Sequence, residues 1–169
     1  MPINLELKAK VNSKDNIKSL LNDLGATFEC KMVQVDTYFN VSKGRLKLRE
    51  IDKKESQLIY YDRKESTTEM WSNYQIVKVD EPGRLKEVLA ASNGIRVVVK
   101  KIRDLYMYEN CRIHIDEVEG LGSFIELEVI HKDSETKTKE LFKFIKEKLS
   151  AEIEENINES YSDLLLSKT

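Results

Sequence analysis

The sequence predicts an α+β fold in which roughly eight antiparallel strands close into a β-barrel with helices around it. Most strand-like segments alternate one apolar face with one charged face. Segments with a helical apolar period interrupt the strands and follow them. The charges are concentrated on the polar faces and carry both signs, which favours an enclosed polar lumen over a solvated sheet face. An ordinary α+β sheet with one solvated side is the alternative.

The chain begins with an amphipathic strand and a helix. Residues Ile3 to Val11 alternate apolar and polar side chains, which predicts a strand. Ser13 can cap the helix that follows, and Gly25 supplies its left-handed stop. Between them, Ile17 and Leu21 recur at helical spacing. We therefore expect this helix to cover the apolar face of the sheet.

A row of cations marks the third predicted strand. Arg45, Lys47 and Arg49 share one face of this strand, about 7 Å apart. The positive charges of these three side chains repel one another. Inside a cavity they require carboxylates or a bound anion for neutralisation. The neighbouring segments that also predict strands are Val33 to Val41, Gln57 to Lys64 and Ser72 to Val79, with a polar loop from Glu65 to Met70.

A second helix opens the remainder of the chain. Pro82 in its first turn and Gly94 after its last turn set its limits. Its apolar stripe is Leu85, Val88 and Leu89. The later elements are predicted strands at Ile95 to Arg103 and Leu105 to Tyr108, and predicted helices at Thr136 to Leu149 and Ser160 to Leu165.

Residues Arg112 to Ile130 predict a hairpin that concentrates carboxylates. Two alternating strands flank a glycine-containing turn, so Asp116 shares a face with His114, and Glu126 shares one with Glu128. The carboxylates then converge on one face of the hairpin, while the opposite apolar face packs against a core. His114 needs no catalytic role there, because a lumen histidine can simply be satisfied by its polar neighbours.

A barrel with the charged faces inside would contain two electrostatic zones. One is a cationic zone able to bind a polyanion, and the other is a carboxylate cluster able to hold Mg²⁺ or Mn²⁺. Together these two zones are what metal-assisted chemistry on a triphosphate requires. The residues concentrated on the polar faces are Glu6, Lys8, Lys47, Arg49, Arg63, Lys101, Arg103, Asp116, Glu126 and Glu128.

Composition narrows the functional classes. The chain has 169 residues without a linker-like change in composition, so we expect a single domain over residues 1–169. Its 28 basic and 30 acidic side chains give a net charge of −2, which favours neither nucleic acid nor a membrane surface as a partner. Without an apolar run typical of a signal peptide or membrane span, a cytoplasmic location is expected. Cys30 and Cys111 lack metal-site spacing and are expected to be structural thiols.

The order of these motifs resembles the CYTH domain, also called the triphosphate tunnel metalloenzyme family, over nearly the whole chain. That family includes class IV adenylyl cyclases, thiamine triphosphatases and inorganic triphosphatases. Its fold is a closed eight-stranded antiparallel barrel, which agrees with the lumen inferred above. The tail at Ser160 and Tyr161 is similar to that of the cyclase-type branch. The segments that carry the resemblance are the ExExK-like Asn4 to Lys8, Arg45 to Arg49, Arg63, Lys101 with Arg103, His114 to Asp116, and Gly122 to Glu128.

The resemblance implies roles for particular residues. Glu6, Lys8 and Arg63 are expected to carry catalysis. The chemistry would consist of positioning and charge neutralisation. The residues expected to bind the triphosphate are Lys8, Lys47, Arg49, Arg63, Lys101 and Arg103. The ligands expected for one or two Mg²⁺ or Mn²⁺ ions are Glu6, Asp116, Glu126 and Glu128.

Three functions are open at this point. In a class IV adenylyl cyclase-like reaction, the ribose 3′-hydroxyl of ATP attacks and pyrophosphate leaves. In a triphosphatase, tripolyphosphate or thiamine triphosphate releases orthophosphate. A non-catalytic module would capture a polyphosphate or phosphorylated ligand without turnover. Asn4 bears on this choice, because it stands where the family signature has its first glutamate and removes one negative charge. The resemblance also suggests a homodimer.

Overall fold

The structure is a computed structural model that describes residues 3–65 and 70–168, with the side chains of residues 63–65 and 70 outside the description. The helices are α1 (Lys14–Leu24), α2 (Pro82–Asn93), α3 (Glu135–Leu149) and α4 (Tyr161–Ser167), and a 3₁₀ turn covers Ser150–Glu152. The strands are β1 (Ile3–Val11), β2 (Thr27–Phe39), β3 (Arg45–Ile51), β4 (Glu55–Glu65), β5 (Met70–Lys78), β6 (Ile95–Tyr108), β7 (Cys111–Val118), β8 (Gly122–Ile130) and β9 (Ile153–Asn156).

Eight of these strands close into an antiparallel barrel, which confirms the predicted fold class. The sheet runs β5-β4-β3-β2-β6-β7-β8-β1, and a further pairing of β1 with β5 closes it. Strand β1 is the closing strand because one of its edges pairs with β8 and the other with β5. The short strand β9 pairs with Ala9 to Val11 and extends the β5-bearing edge of β1.

The principal apolar core lies outside the barrel, between the wall formed by β1, β7 and β8 and the helices α1 and α3. Ser13 and Gly25 cap α1 as predicted, which fixes the helix that presents Ile17 and Leu21 to this wall. The predicted division into a polar inner face and an apolar outer face is therefore confirmed on this side. The largest fully buried side chains of the core are Leu5, Ile17, Leu21, Ile113, Ile115, Ile125, Leu127, Ile145 and Leu149.

The other side of the barrel is only lightly covered, which differs from the expected apolar packing of the second helix. Helix α2 contacts β2 and β3, but none of its residues is buried, and Val88 of its predicted stripe is 62% exposed. The outward-facing Val33, Val77 and Ile102 are also exposed. The stripe prediction was therefore wrong for Val88, whereas Leu85 and Leu89 are partly buried.

Some strand limits differ from the sequence-based prediction. Strand β2 begins at Thr27, before the predicted start at Val33, because its first residues pair with the end of β6. These residues are exposed, so their sequence shows no apolar alternation that would predict a strand. Strand β6 continues without a break to Tyr108, where a separate short strand was predicted. The loop predicted between Glu65 and Met70 falls on residues 66–69, which lie outside the described residues, while Glu65 and Met70 themselves pair across β4 and β5.

Within the described residues, none of the helices combines the length and apolar character that a membrane crossing requires.

Replacing Leu127 by alanine tests the position of the core. Leu127 is fully buried on the outer face of β8, so Leu127→Ala should lower the free energy of unfolding by about 2–5 kcal/mol. The matched control Val77→Ala, at a side chain that is 60% exposed, should change it by less than about 0.5 kcal/mol. Urea denaturation followed by circular dichroism measures both values. Equal losses in the two variants would contradict the assignment of the core to the α1 and α3 side.

Candidate functional site

The lumen of the barrel is a polar cavity of about 280 Å³. Strict alternation along each strand turns the charged side chains inward, since the apolar partners face the outer core. The charged groups that line the cavity come from most of the barrel strands. They are Glu6, Lys8, Lys47, Arg49, Lys101, Arg103, Arg112, Glu126 and Glu128.

A buried carboxylate, Asp36 of β2, organises the cationic side of the cavity. Arg49 donates to it through Nε and Nη2, each at 2.8 Å. The amines of Lys47 and Lys101 donate to Asp36 Oδ2 at 3.1 and 3.3 Å. Burial by itself would raise the pKa of Asp36, but Arg49, Lys101 and Lys47 outweigh it and hold this pKa well below its usual range. Asp36 is thus an anion that fixes three cations from behind.

The charge of the Lys101 amine depends strongly on its surroundings in the lumen. Its removal from water is the largest effect on its pKa, and the neighbouring Arg103 adds to it. The attraction of Asp36 offsets only part of these effects, so the pKa of Lys101 falls to about 7. A polyanion entering the cavity would favour the protonated amine.

A second buried carboxylate, Asp116 of β7, anchors Arg103. The guanidinium donates to both oxygens of Asp116 at 2.7 and 2.6 Å, and to Glu126 Oε2 at 3.2 Å. Tyr161 of α4 donates its hydroxyl to Asp116 Oδ2 at 2.8 Å. Burial opposes ionisation of Asp116, yet Arg103 lowers its pKa. In this arrangement Asp116 lies behind Arg103 and positions its guanidinium.

The acidic side of the cavity is formed by Glu126 and Glu128 of β8 with His114 of β7. One ligand atom from each residue lies within 4.8 Å of the others, so this group could hold a metal ion. Arg112 Nη2 lies 3.0 Å from Glu128 Oε2, and Lys8 Nζ lies 3.7 Å from Glu126 Oε1. These cations help to keep both carboxylates ionised.

The pKa values of this acidic group favour metal binding. Burial would raise the pKa of Glu126, but Arg103 and Lys8 lower it well below its usual range. Burial lowers the pKa of His114, and Arg103 adds to this effect, so a neutral imidazole is favoured. Glu6 lines the same cavity and lies opposite Glu128 in the register of β1 with β8.

Helix α4 closes one end of the cavity with an aromatic ring. Its N-cap Ser160 accepts a bond from the Asp163 amide, which starts the helix and directs Tyr161 into the lumen. The amine of Lys8 lies 4.1 Å from the centre of the Tyr161 ring and donates to the Glu159 carbonyl at 3.1 Å. Arg45, the first residue of β3, donates from Nη2 to Asp163 Oδ2 at 2.6 Å. Ion pairs and aromatic contacts therefore hold α4 against this end of the cavity.

The structure brings most of the predicted site residues into one cavity. Lys8, Lys47, Arg49, Lys101, Arg103, Glu6, Glu126 and Glu128 all line it, and Asp116 lies directly behind Arg103. The backbone of Arg63 is in β4, opposite Ser72, but its side chain lies outside the described residues. The roles assigned to these residues stay predictions.

Sequence reasoning missed three contributors to the cavity. For Asp36 the sequence signal is that it shares one face of its strand with Tyr38 and precedes the cationic strand. Arg112 lies on the same face as His114, which could have marked it as a partner of a carboxylate. Tyr161 was noted in the tail that is similar to the cyclase-type branch, but its entry into the lumen depends on the tertiary path of α4.

Comparison with known proteins agrees with this geometry. A family model described as the CYTH domain matches residues 2–161. A Methanocaldococcus jannaschii protein named "Putative adenylate cyclase" is 30% identical over 147 residues, which cover 82% of this chain and 83% of that protein. The PH1012 protein of Pyrococcus horikoshii OT3 superposes with a TM-score of 0.83 at 25% identity, over 95% of this chain and 98% of that one.

A more distant structure shares the fold alone. A Hippeastrum protein, described as a "Putative adenylyl cyclase" with a dominant triphosphatase activity, has a TM-score of 0.69 at 19% identity. The superposition covers 100% of this chain and 97% of the Hippeastrum chain.

Removing the Asp36 carboxylate should destabilise the fold. Asp36→Asn leaves Lys47, Arg49 and Lys101 without their shared counter-ion, so the free energy of unfolding should fall by about 3–5 kcal/mol at neutral pH. Tripolyphosphate should restore part of this loss, because it would neutralise the same cations. Glu117→Gln, which breaks an exposed ion pair with Lys14, is the control and should cost at most about 1 kcal/mol. Urea denaturation with and without tripolyphosphate measures these effects, and an unchanged Asp36→Asn stability would refute the anchoring role.

The low pKa of Lys101 predicts a proton uptake on anion binding. With a pKa of about 7 in the free protein, about nine tenths of the amine is neutral at pH 8 and about one tenth at pH 6. A polyanion should raise this pKa, so binding at pH 8 should take up about 0.9 proton more in the native protein than in Lys101→Met, and about 0.1 more at pH 6. Calorimetric titration in buffers of different ionisation enthalpy measures the uptake. Equal proton uptake by the native protein and Lys101→Met at pH 8 would show that a group other than Lys101 takes up the proton.

Proposed function

This chain belongs to the CYTH domain family, and we propose that it is a divalent-metal-dependent enzyme that acts on a triphosphate inside its charged barrel. The observation that carries the proposal is the division of one cavity into a cationic side fixed by Asp36 and an acidic side fixed by β8. A triphosphate needs cations along its oxygens, and a divalent ion needs carboxylates beside them. The cavity is lined by both cationic and carboxylate side chains.

In this proposal the cationic residues bind and orient the phosphate chain. Lys8, Lys47, Arg49, Lys101 and Arg103 converge on the cavity from β1, β3 and β6, so they can neutralise oxygens along a linear anion. Arg63 would complete the set from β4. Because Asp36 and Asp116 hold four of these five cations in place before the ligand arrives, little reorganisation is needed on binding.

The acidic residues would hold the metal. Glu126 and Glu128, together with Glu6 on the facing strand, offer oxygen ligands of the kind that Mg²⁺ and Mn²⁺ bind. Asp116 would contribute as a ligand only through the lone pairs that Arg103 and Tyr161 leave available. The ion would polarise phosphoryl oxygens and offset the charge that develops on the leaving group.

We place the adenylyl cyclase-like reaction first. In it the ribose 3′-hydroxyl oxygen bonds to the α-phosphorus and releases its proton, while the bond to the β-phosphate breaks and pyrophosphate leaves. The name of the Methanocaldococcus jannaschii relative supports this reaction. The lining also supports it, because Met32 and Leu105 add apolar surface beside Gln34 at the end of the cavity away from α4, where a nucleoside could lie.

Triphosphate hydrolysis is the second candidate. The activity described for the Hippeastrum protein favours it, and the cationic side of the lumen would suit inorganic tripolyphosphate or thiamine triphosphate equally well. In this case a water oxygen bonds to the terminal phosphorus and the bond to its bridging oxygen breaks, so that the diphosphate portion leaves and orthophosphate is released. The residues that bind the phosphate chain would be unchanged.

Product analysis tests both reactions. Pure protein is incubated with ATP and, separately, with tripolyphosphate, each with Mg²⁺ or Mn²⁺, and cyclic AMP, pyrophosphate and orthophosphate are resolved. Cyclic AMP with pyrophosphate supports the cyclase, and orthophosphate without cyclic AMP supports the triphosphatase. Binding of both compounds without any product would contradict the enzyme proposal and favour a capture module.

The double variant Glu126→Gln with Glu128→Gln tests the metal-binding role. It should lower metal-dependent turnover by at least about 100-fold, because the neutral amides are weaker ligands for a divalent ion. Tripolyphosphate binding should persist, since Lys47, Arg49 and Lys101 are unchanged. Glu117→Gln, at an exposed carboxylate of β7, serves as the control and should keep full activity. Full turnover in the double variant would refute the assignment.

A further inference from the structure

We propose that His114 is itself a metal ligand, so that one imidazole nitrogen and the carboxylates of Glu126 and Glu128 hold the ion together. This inference rests on the proposed function and deepens it, because it names the donor set and the class of ion. A mixed nitrogen and oxygen set selects a transition-metal ion such as Mn²⁺ over Mg²⁺.

The first support is the position of the imidazole. His114 is only 6% exposed, and its Nδ1 is buried without a hydrogen-bond partner among the described residues. Leaving a buried polar nitrogen unsatisfied is costly, so an unpaired nitrogen that faces a cavity calls for a ligand. Nδ1 lies 3.8 Å from Glu126 Oε2 and 3.7 Å from Glu128 Oε1, beyond hydrogen-bond distance from either.

The separations suit an ion between these atoms. Ligands bound about 2.1 Å from one ion lie about 3.0 Å apart when adjacent and about 4.2 Å apart when opposite. The distances from the imidazole nitrogen to the two carboxylate oxygens, 3.8 and 3.7 Å, lie between these two values, and the three ligand atoms lie within 4.8 Å of one another, so small side-chain rotations would bring them to one ion.

The surrounding contacts hold the carboxylates in place for this role. Arg112 Nη2 forms an ion pair with Glu128 Oε2 at 3.0 Å, while Oε1 of the same carboxylate is the atom that faces His114. Lys8 lies 3.7 Å from Glu126 Oε1, and Oε2, which also accepts a hydrogen bond from Arg103 at 3.2 Å, is the atom that faces the imidazole. Strand register sets this geometry, because His114 lies directly opposite Glu126 in the pairing of β7 with β8.

The donor set decides which ion is preferred. Mg²⁺ favours oxygen ligands and near-ideal octahedral geometry, whereas an imidazole nitrogen suits transition-metal ions. Asn4 moves the balance in the same direction. It lines the same cavity with a neutral amide whose Oδ1 is buried and has no hydrogen-bond partner in the part of the chain described. With one carboxylate fewer, the cavity offers less of the anionic, all-oxygen donor set that Mg²⁺ favours.

Electron spin-echo spectroscopy of bound Mn²⁺ tests the proposal directly, without turnover. Nitrogen coordinated to Mn²⁺ modulates the echo, and replacing ¹⁴N by ¹⁵N in histidine alone changes that modulation. We expect histidine-labelled, otherwise unmodified protein to show this change, both alone and with a non-hydrolysable imidotriphosphate. Because the native chain is used, the result does not depend on whether a variant folds.

Variants then assign the nitrogen to one of the two histidines in the chain. His114→Leu should abolish the nitrogen signal and weaken Mn²⁺ binding by at least about tenfold. It should change Mg²⁺ binding less, so the preference for Mn²⁺ over Mg²⁺ should narrow. The matched control is His131→Gln, because His131 lies against Trp71 and Thr138 outside the cavity. This control should keep the signal and bind Mn²⁺ within about twofold of the native protein.

The outcomes separate this inference from the proposed function. Mn²⁺ that binds without a nitrogen signal would overturn the role of His114 and leave a carboxylate site for the proposed enzyme. A signal that survives in His114→Leu would overturn it as well. No Mn²⁺ binding, with or without imidotriphosphate, would overturn both the inference and the metal-dependent function.

Discussion

The barrel depends on one electrostatic constraint, which is that each buried cation of its lumen must lie against a carboxylate from another strand. Asp36 meets this requirement for Lys47, Arg49 and Lys101, and Asp116 meets it for Arg103. Removing one member of such a buried group leaves an uncompensated charge, which costs more than the pair itself contributes. The apolar core outside the barrel supplies the stability that this charged interior does not.

Strand register turns this constraint into a site. Residues directly opposite each other on neighbouring strands are close enough for their side chains to interact. Asp36 lies opposite Arg49, and Arg103 lies opposite Asp116. A one-residue slip in any of these pairings would move the charged set of that strand to the outer face, against the core. The core and the lumen therefore specify the same register, and the fold and the site are determined together.

Much of this architecture could be predicted from the sequence, because alternation along a strand is a local property. The regular pattern of β1 and the cationic pattern of β3 identified lumen residues without any structure. Strands β2 and β6 pair although they are far apart in the sequence. The contact between Asp36 and Lys101 therefore could not be predicted from the sequence of either strand alone. The unsatisfied nitrogen of His114 is equally hidden, since local pattern places the side chain but does not show whether its hydrogen bonds are made.

The buried carboxylates also decide how a polyanion would meet the cations. Asp36 is completely buried, whereas Lys47 and Arg49 retain side-chain exposures of 11% and 15% and line the cavity. A ligand in the lumen would therefore contact the exposed side of these cations while Asp36 keeps its own contacts behind them. The cost of assembling mutually repelling cations is met during folding by Asp36, and the ordering of their side chains is not left to the binding step. Preorganisation of this kind favours binding through a fixed row of donors, which is what charge stabilisation of a phosphoryl group requires.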